Sequence, residues 1–98
     1  MKVQRPHHMS KNGARAWLDE KLGEMLQQFG DRVSDISYEW IGDRLSFQFR
    51  AAGMVNFKGT LDVTDTDLRL DLPFPFLARG YQRSAETEIN AWLDENLP

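Results

Sequence analysis

The chain has no cysteine. Disulfides and thiolate-ligated metals are therefore excluded, and stability has to come from packing. Histidine is almost as scarce: His7 and His8 are the only two, and as chain neighbours they cannot easily turn both rings toward one ion, so no metal site is expected. Long apolar runs are missing too. None approaches the roughly 18 residues that span a bilayer, and the first residues lack the apolar stretch of a signal peptide. A cytoplasmic protein with no membrane span is the expectation. Nor is there an excess of cations. A net charge of -3 argues against nucleic acid as a partner, because such binding relies on neutralising phosphates with Lys and Arg.

What the 98 residues do contain is a hydrophobic share of 41%, with three Trp and six Phe to fill a core. That amounts to one globular domain, 1–98, without a linker. Charge is distributed unevenly: Lys2, Arg5, Lys11 and Arg15 all precede the first acid, Asp19. Residues 1–9 accordingly read as a flexible, basic N-terminal segment.

Two hydrophobic periods organise the rest. From Ser10 to Phe29, Ala14, Trp17, Leu18, Leu22, Met25, Leu26 and Phe29 follow the spacing of an amphipathic helix, with Ser10 as N-cap and Gly30 as terminator. From Ile36 the period becomes two. Gly42-Asp43 suits a two-residue type II′ turn that sets Trp40 opposite Leu45, Tyr38 opposite Phe47 and Ile36 opposite Phe49.

For the next hairpin, a two-residue loop would bring Asn56 and Lys58 onto the apolar face. A three-residue loop, Ala51-Ala52-Gly53 with Gly53 left-handed, instead pairs 49 with 55, 47 with 57 and 45 with 59. A turn at Asp65-Thr66 then pairs Val63 with Leu68 and Leu61 with Leu70, leaving Ser46, Gln48, Lys58, Thr60, Asp62, Arg69 and Asp71 on a solvated face. A second helical period runs through Leu77, Tyr81, Ala85, Ile89, Trp92, Leu93 and Leu97, and its continuity across Gly80 favours a start near Pro75. The expected fold is α+β: a helix, a four-stranded antiparallel meander and a helix (αββββα), with both helices packed on one face of the sheet.

Catalytic chemistry is poorly served by these residues. No nucleophile stands in pattern with a base. Asp62, Asp65, Asp67 and Asp71 lack the glycine and terminal glutamate of a calcium loop, and the isolated Gly53 and Gly59 make no phosphate cradle. An enzyme is not expected, nor is a cofactor. Two places remain for binding. Gly59 removes side-chain volume in the middle of the apolar face, which makes Phe47, Phe57 and Gly59 candidates for a ligand cavity. In "LDLPFPFLARG" (70–80), Leu70, Leu72 and Leu77 fall into core periods but Phe74 and Phe76 fall into none. These two rings, with Arg79 and Arg83 nearby, are the candidate hydrophobic contact.

The segments "RPHHMSKNGAR", "YEWIGDRLSFQFRAAGMVNFKGTLDV", "LRLDLPFPFLARG" and "INAWLDENL" together carry a full-length resemblance. The chain resembles the family of putative polyhydroxyalkanoic acid system proteins, small proteins whose genes accompany those of bacterial polyester storage. His7, Gly42-Asp43, Phe47, Gly53, Gly59 and Leu93-Asp94 fall on the family's positions. Phe74-Pro75-Phe76 departs from it, being more aromatic and proline-rich than the usual leucine/glycine stretch, as does Asn12-Gly13 in the first helix. The resemblance implies a part in polyhydroxyalkanoate metabolism or at the granule surface, with granules or granule proteins as partners and no known catalytic activity. Three readings follow: a non-catalytic granule-associated protein, a binder of a small acyl or hydroxyacyl ligand, and a homodimer sealed by Phe74, Phe76 or Trp92.

Overall fold

Five stretches of alternating side chains, one more than expected, hydrogen-bond through their backbones into a single antiparallel sheet. The computed structural model describes residues 1–28, 30–51 and 54–98, and the side chains of all of these except 26–28. The elements in chain order are β1 (Lys2–Pro6), α1 (Lys11–Gln28), a 3-10 turn (Gly30–Arg32), β2 (Val33–Ile41), β3 (Arg44–Ala51), β4 (Val55–Val63), β5 (Asp67–Asp71), a 3-10 segment (Phe76–Tyr81) and α2 (Gln82–Asn96). The strand order is β1-β5-β4-β3-β2.

β1 corrects the expectation of a flexible N-terminal segment. It pairs antiparallel with β5, setting Lys2 opposite Asp71 and Val3 opposite Leu70. Val3 is buried, and Pro6, which has no N–H to donate, is tolerated because this is an edge strand. Arg5, opposite the buried Leu68, reaches α2: its guanidinium donates to Asn90 Oδ1 at 3.2 Å and pairs with Asp94. The start of the chain is thus tied down by strand pairing and by the Arg5 side chain.

The first hairpin closes as the Gly-first turn predicts. Ile41 pairs with Arg44, Trp40 with Leu45 and Tyr38 with Phe47. Gly42 has φ +62 while Asp43 does not enter the left-handed region, the type II′ signature. The expected pairing of Ile36 with Phe49 does not form, because the register shifts between Ser34 and Ser37, with Asp35 at φ 52. A bulge of this kind adds a residue to one strand and blunts an exposed edge.

The second hairpin is displaced by two residues from the expected register: Phe49 faces Phe57, Phe47 faces Gly59 and Leu45 faces Leu61. Ala51 pairs with Val55, and Met54 N–H donates to Ala51 O at 3.2 Å. A shift of two leaves every side chain on its original face, so hydrophobic pattern alone cannot distinguish the two registers. The proposed left-handed Gly53 lies outside the described residues. The third hairpin matches, with Val63 opposite Leu68 and Leu61 opposite Leu70. Asp62 sits across from Arg69 as expected, yet its carboxylate takes two hydrogen bonds from Arg44, at 2.7 and 3.1 Å.

Ser10 caps α1, its hydroxyl accepting from Gly13 N–H at 3.0 Å. Ala14, Leu18 and Leu22 are buried against Leu45, Val63 and Leu68 of the sheet, each leucine contributing about 1.5–3 kcal/mol. The predicted places of Leu26 and Phe29 in this stripe lie outside the described side chains. Two locks join α1 to the first hairpin. The Arg15 guanidinium stacks 4.7 Å from the centroid of Trp40, whose Nε1–H donates to Asp19 Oδ1 at 3.3 Å. Asp43 in the turn pairs with Lys11 at 3.0 Å and Arg15 at 3.8 Å. Hydrogen bonding and charge from Asp43 raise Lys11 above its ordinary value, so this pair holds below the usual lysine range and is lost as pH climbs through the raised folded-state value.

α2 starts at Gln82, not near Pro75. The six residues before it wind as a 3-10 segment, and Leu77, assigned to the core by its helical spacing, is exposed, as is Tyr81. Where the period does hold, Trp92 is buried and meets Trp17 of α1 with ring centroids 5.9 Å apart.

Candidate functional site

Of the residues the sequence singled out, one group forms a surface and the other fills the interior. The interior group is a ladder of rings: Phe47 stacks on Phe49 (6.3 Å), Phe49 on Phe57 (5.0 Å), and Phe74 meets Phe57 edge-on (5.0 Å). Gly59 sits beneath it. A Cβ there would lie 2.6 Å from Phe47 Cζ and 3.0 Å from both Asp71 O and Leu72 Cδ1. The volume that glycine frees is taken by the end of the Phe47 ring.

The surface group grows out of the end of β5. Leu72 is buried, and its amide and carbonyl are both bonded to Met1, at 2.8 and 2.9 Å. Pro73 and Pro75 then keep the chain extended, since neither can donate to a ladder, and Pro75 adopts φ -57, ψ 153. Pro75 O accepts from Ala78 N–H at 2.9 Å, which begins the 3-10 segment, and Ala78 packs beside Phe57 and Leu72. With Ala78 inward and three residues per turn, Phe76 and Leu77 are left on the outer sides. They are 83% and 79% exposed, and Tyr81 is 72% exposed.

The two rings left unassigned by the sequence therefore separate. Phe74 is half-buried and packs on the core residue Phe57, whereas Phe76, like Leu77 and Tyr81 along the same segment, is exposed to solvent. Leu77 and Tyr81 were missed as site residues because their spacing also fits the stripe of α2; only the prolines and Gly80 signalled a different winding. Arg79 follows Phe76 by one 3-10 turn, and Arg83 lies in the first turn of α2. Together with Met1, Pro73, Phe74, Gln82 and Glu86 these arginines border an open hollow.

His7, for which the sequence offers no metal role, is a structural clamp. Its ring is buried, Nε2 lies 2.8 Å from Thr64 O, and Nδ1 accepts from Met9 N–H at 3.2 Å. Since a carbonyl can only accept, Nε2 carries the proton. Thr64 in turn receives Asp67 N–H at 2.8 Å on its hydroxyl. The imidazole thus binds the end of β1 to the β4–β5 turn. Long-range nitrogen–proton NMR near neutral pH is expected to report a bare Nδ1 and a protonated Nε2; the opposite tautomer contradicts this clamp.

Fold and surface define a small α+β protein with an apolar patch beside two arginines. Among the described residues no three His, Asp or Glu side chains stand close enough to hold a metal ion, and no helix is long and apolar enough to cross a membrane. The chain belongs to the family described as putative polyhydroxyalkanoic acid system proteins, whose model matches residues 1–97. No curated protein and no solved structure matches it.

Most of the positions carrying the family resemblance serve the fold: His7 clamps, Gly42-Asp43 turns and pairs, Phe47 closes over Gly59, and Asp94 holds Arg5.

Proposed function

We propose that this chain is a non-catalytic, cytoplasmic protein of the polyhydroxyalkanoate system that attaches to storage granules through Phe76, Leu77 and Tyr81. The supporting observation is the exposure of Phe76, held outward by the burial of Ala78. A polyester surface offers apolar chain for such side chains and ester carbonyls that accept from Arg79 and Arg83. The reading takes both helices as the cover of one sheet face, supported by the contacts of Leu18 with the sheet and of Arg5 with Asn90, so that the 3-10 segment stands at the margin of the covered face. An acyl ligand between sheet and helices is disfavoured, since the Phe47 ring occupies the space over Gly59.

Co-sedimentation with polyester particles tests the proposal. Wild type is expected in the pellet and Phe76→Ser/Leu77→Ser in the supernatant; equal pelleting removes this segment as the contact. A self-contact through the same side chains, the homodimer reading, would appear instead as a concentration-dependent mass in light scattering that the double variant abolishes.

A further inference from the structure

The 3-10 segment carries charge as well as apolar surface. Phe76 and Arg79 are one 3-10 turn apart and share a column, while Arg83 follows in the first turn of α2. Both arginines are exposed. Among the described residues seven of the ten other Lys and Arg side chains pair with a carboxylate; Arg79 and Arg83, like Lys2, Lys58 and Arg69, are in no ion pair, and of these five only Arg79 and Arg83 flank the exposed apolar side chains. Acids outnumber bases in this chain, 15 to 12, so partners are not scarce. Glu86, on the border of the same hollow, pairs with neither.

Shape narrows the choice of counter-charge. Phe76, Leu77 and Tyr81 are exposed and do not line the neighbouring hollow, and a fluid, roughly planar surface can close around such side chains. Unpaired arginines beside projecting apolar groups complement an interface that is apolar within and anionic at its rim.

We infer that this end of the protein docks on anionic phospholipid, with Phe76, Leu77 and Tyr81 entering the headgroup layer and Arg79 and Arg83 meeting lipid phosphates. The inference rests on the proposed function for which surface makes contact, and does not require polyester. Flotation of the full chain tests it, with vesicles of phosphatidylcholine alone, vesicles of phosphatidylcholine and phosphatidylglycerol in equal parts, and lipid-free polyester particles.

Wild type is expected to float with the mixed vesicles and to stay behind with phosphatidylcholine alone. Arg79→Gln/Arg83→Gln should weaken partition into the mixed vesicles about thirty-fold, as expected for two interfacial cations, and added salt should do the same to wild type. Failure of wild type to float with the mixed vesicles, or equal flotation of the arginine variant, overturns the inference. Polyester binding without lipid binding would overturn it while leaving the proposed function standing; lipid binding without polyester binding would do the reverse.

Discussion

Gly59→Ala is expected to destabilise the fold by about 1–3 kcal/mol, the usual cost of forcing extra volume into a well-packed core. The new methyl would lie 2.6 Å from Phe47 Cζ. That ring is stacked on Phe49, which is itself stacked on Phe57, so displacing it disturbs the ladder. On the other side the obstacle at 3.0 Å is the backbone carbonyl of Asp71, held where β5 pairs with both β4 and β1. Denaturant unfolding should show a lower midpoint with an unchanged slope, and Gly59→Val should fall further. Phe47→Leu in the Gly59→Ala background is expected to recover part of the loss, a coupling that distant sites would not show. An alanine variant as stable as wild type would mean that the space above Gly59 is open, and the ligand-cavity reading would return.

Phe76→Ser/Leu77→Ser is expected to weaken attachment to polyester by two orders of magnitude or more, on the scale of about 1.5–3 kcal/mol for each large apolar side chain withdrawn from water. Both side chains are mostly exposed in the free protein, so the same double variant should leave the unfolding midpoint almost unchanged. Phe74→Ser should behave in the opposite way. Its ring packs edge-on against Phe57, and its loss should lower stability before it affects binding. This division between neighbouring residues is what distinguishes a docking surface from a destabilised core.

Legibility differed from element to element for physical reasons. The first hairpin could be read to the residue near its turn because Gly42-Asp43 admits few geometries, but the bulge at Asp35 has no sequence signal that alternation detects. β1 escaped because Val3 is the only apolar residue in it, and because its inward Arg5 is satisfied by Asn90 and Asp94, which are distant in sequence. The second hairpin was placed on the right faces in the wrong register, as a two-residue slip allows. At the candidate site, the lack of any periodic place for Phe76 was visible in the sequence. The exposure of Leu77 and Tyr81 was not, because their spacing imitates the α2 stripe while the chain winds as 3-10 up to Gln82. His7 looked like a terminal residue until β1 brought it against Thr64.

The most direct measurement is a pair of binding isotherms on polyester particles for two single substitutions that each remove one exposed apolar side chain. One is Phe76→Ser; the other is Ile41→Ser, at the end of β2 on the polar side of the sheet, opposite Arg44. A patch-specific contact predicts at least a tenfold loss for Phe76→Ser and none for Ile41→Ser. Equal affinities for the two variants, whether both weakened or both unchanged, would contradict the proposal that Phe76 and its neighbours are a polyester-binding surface.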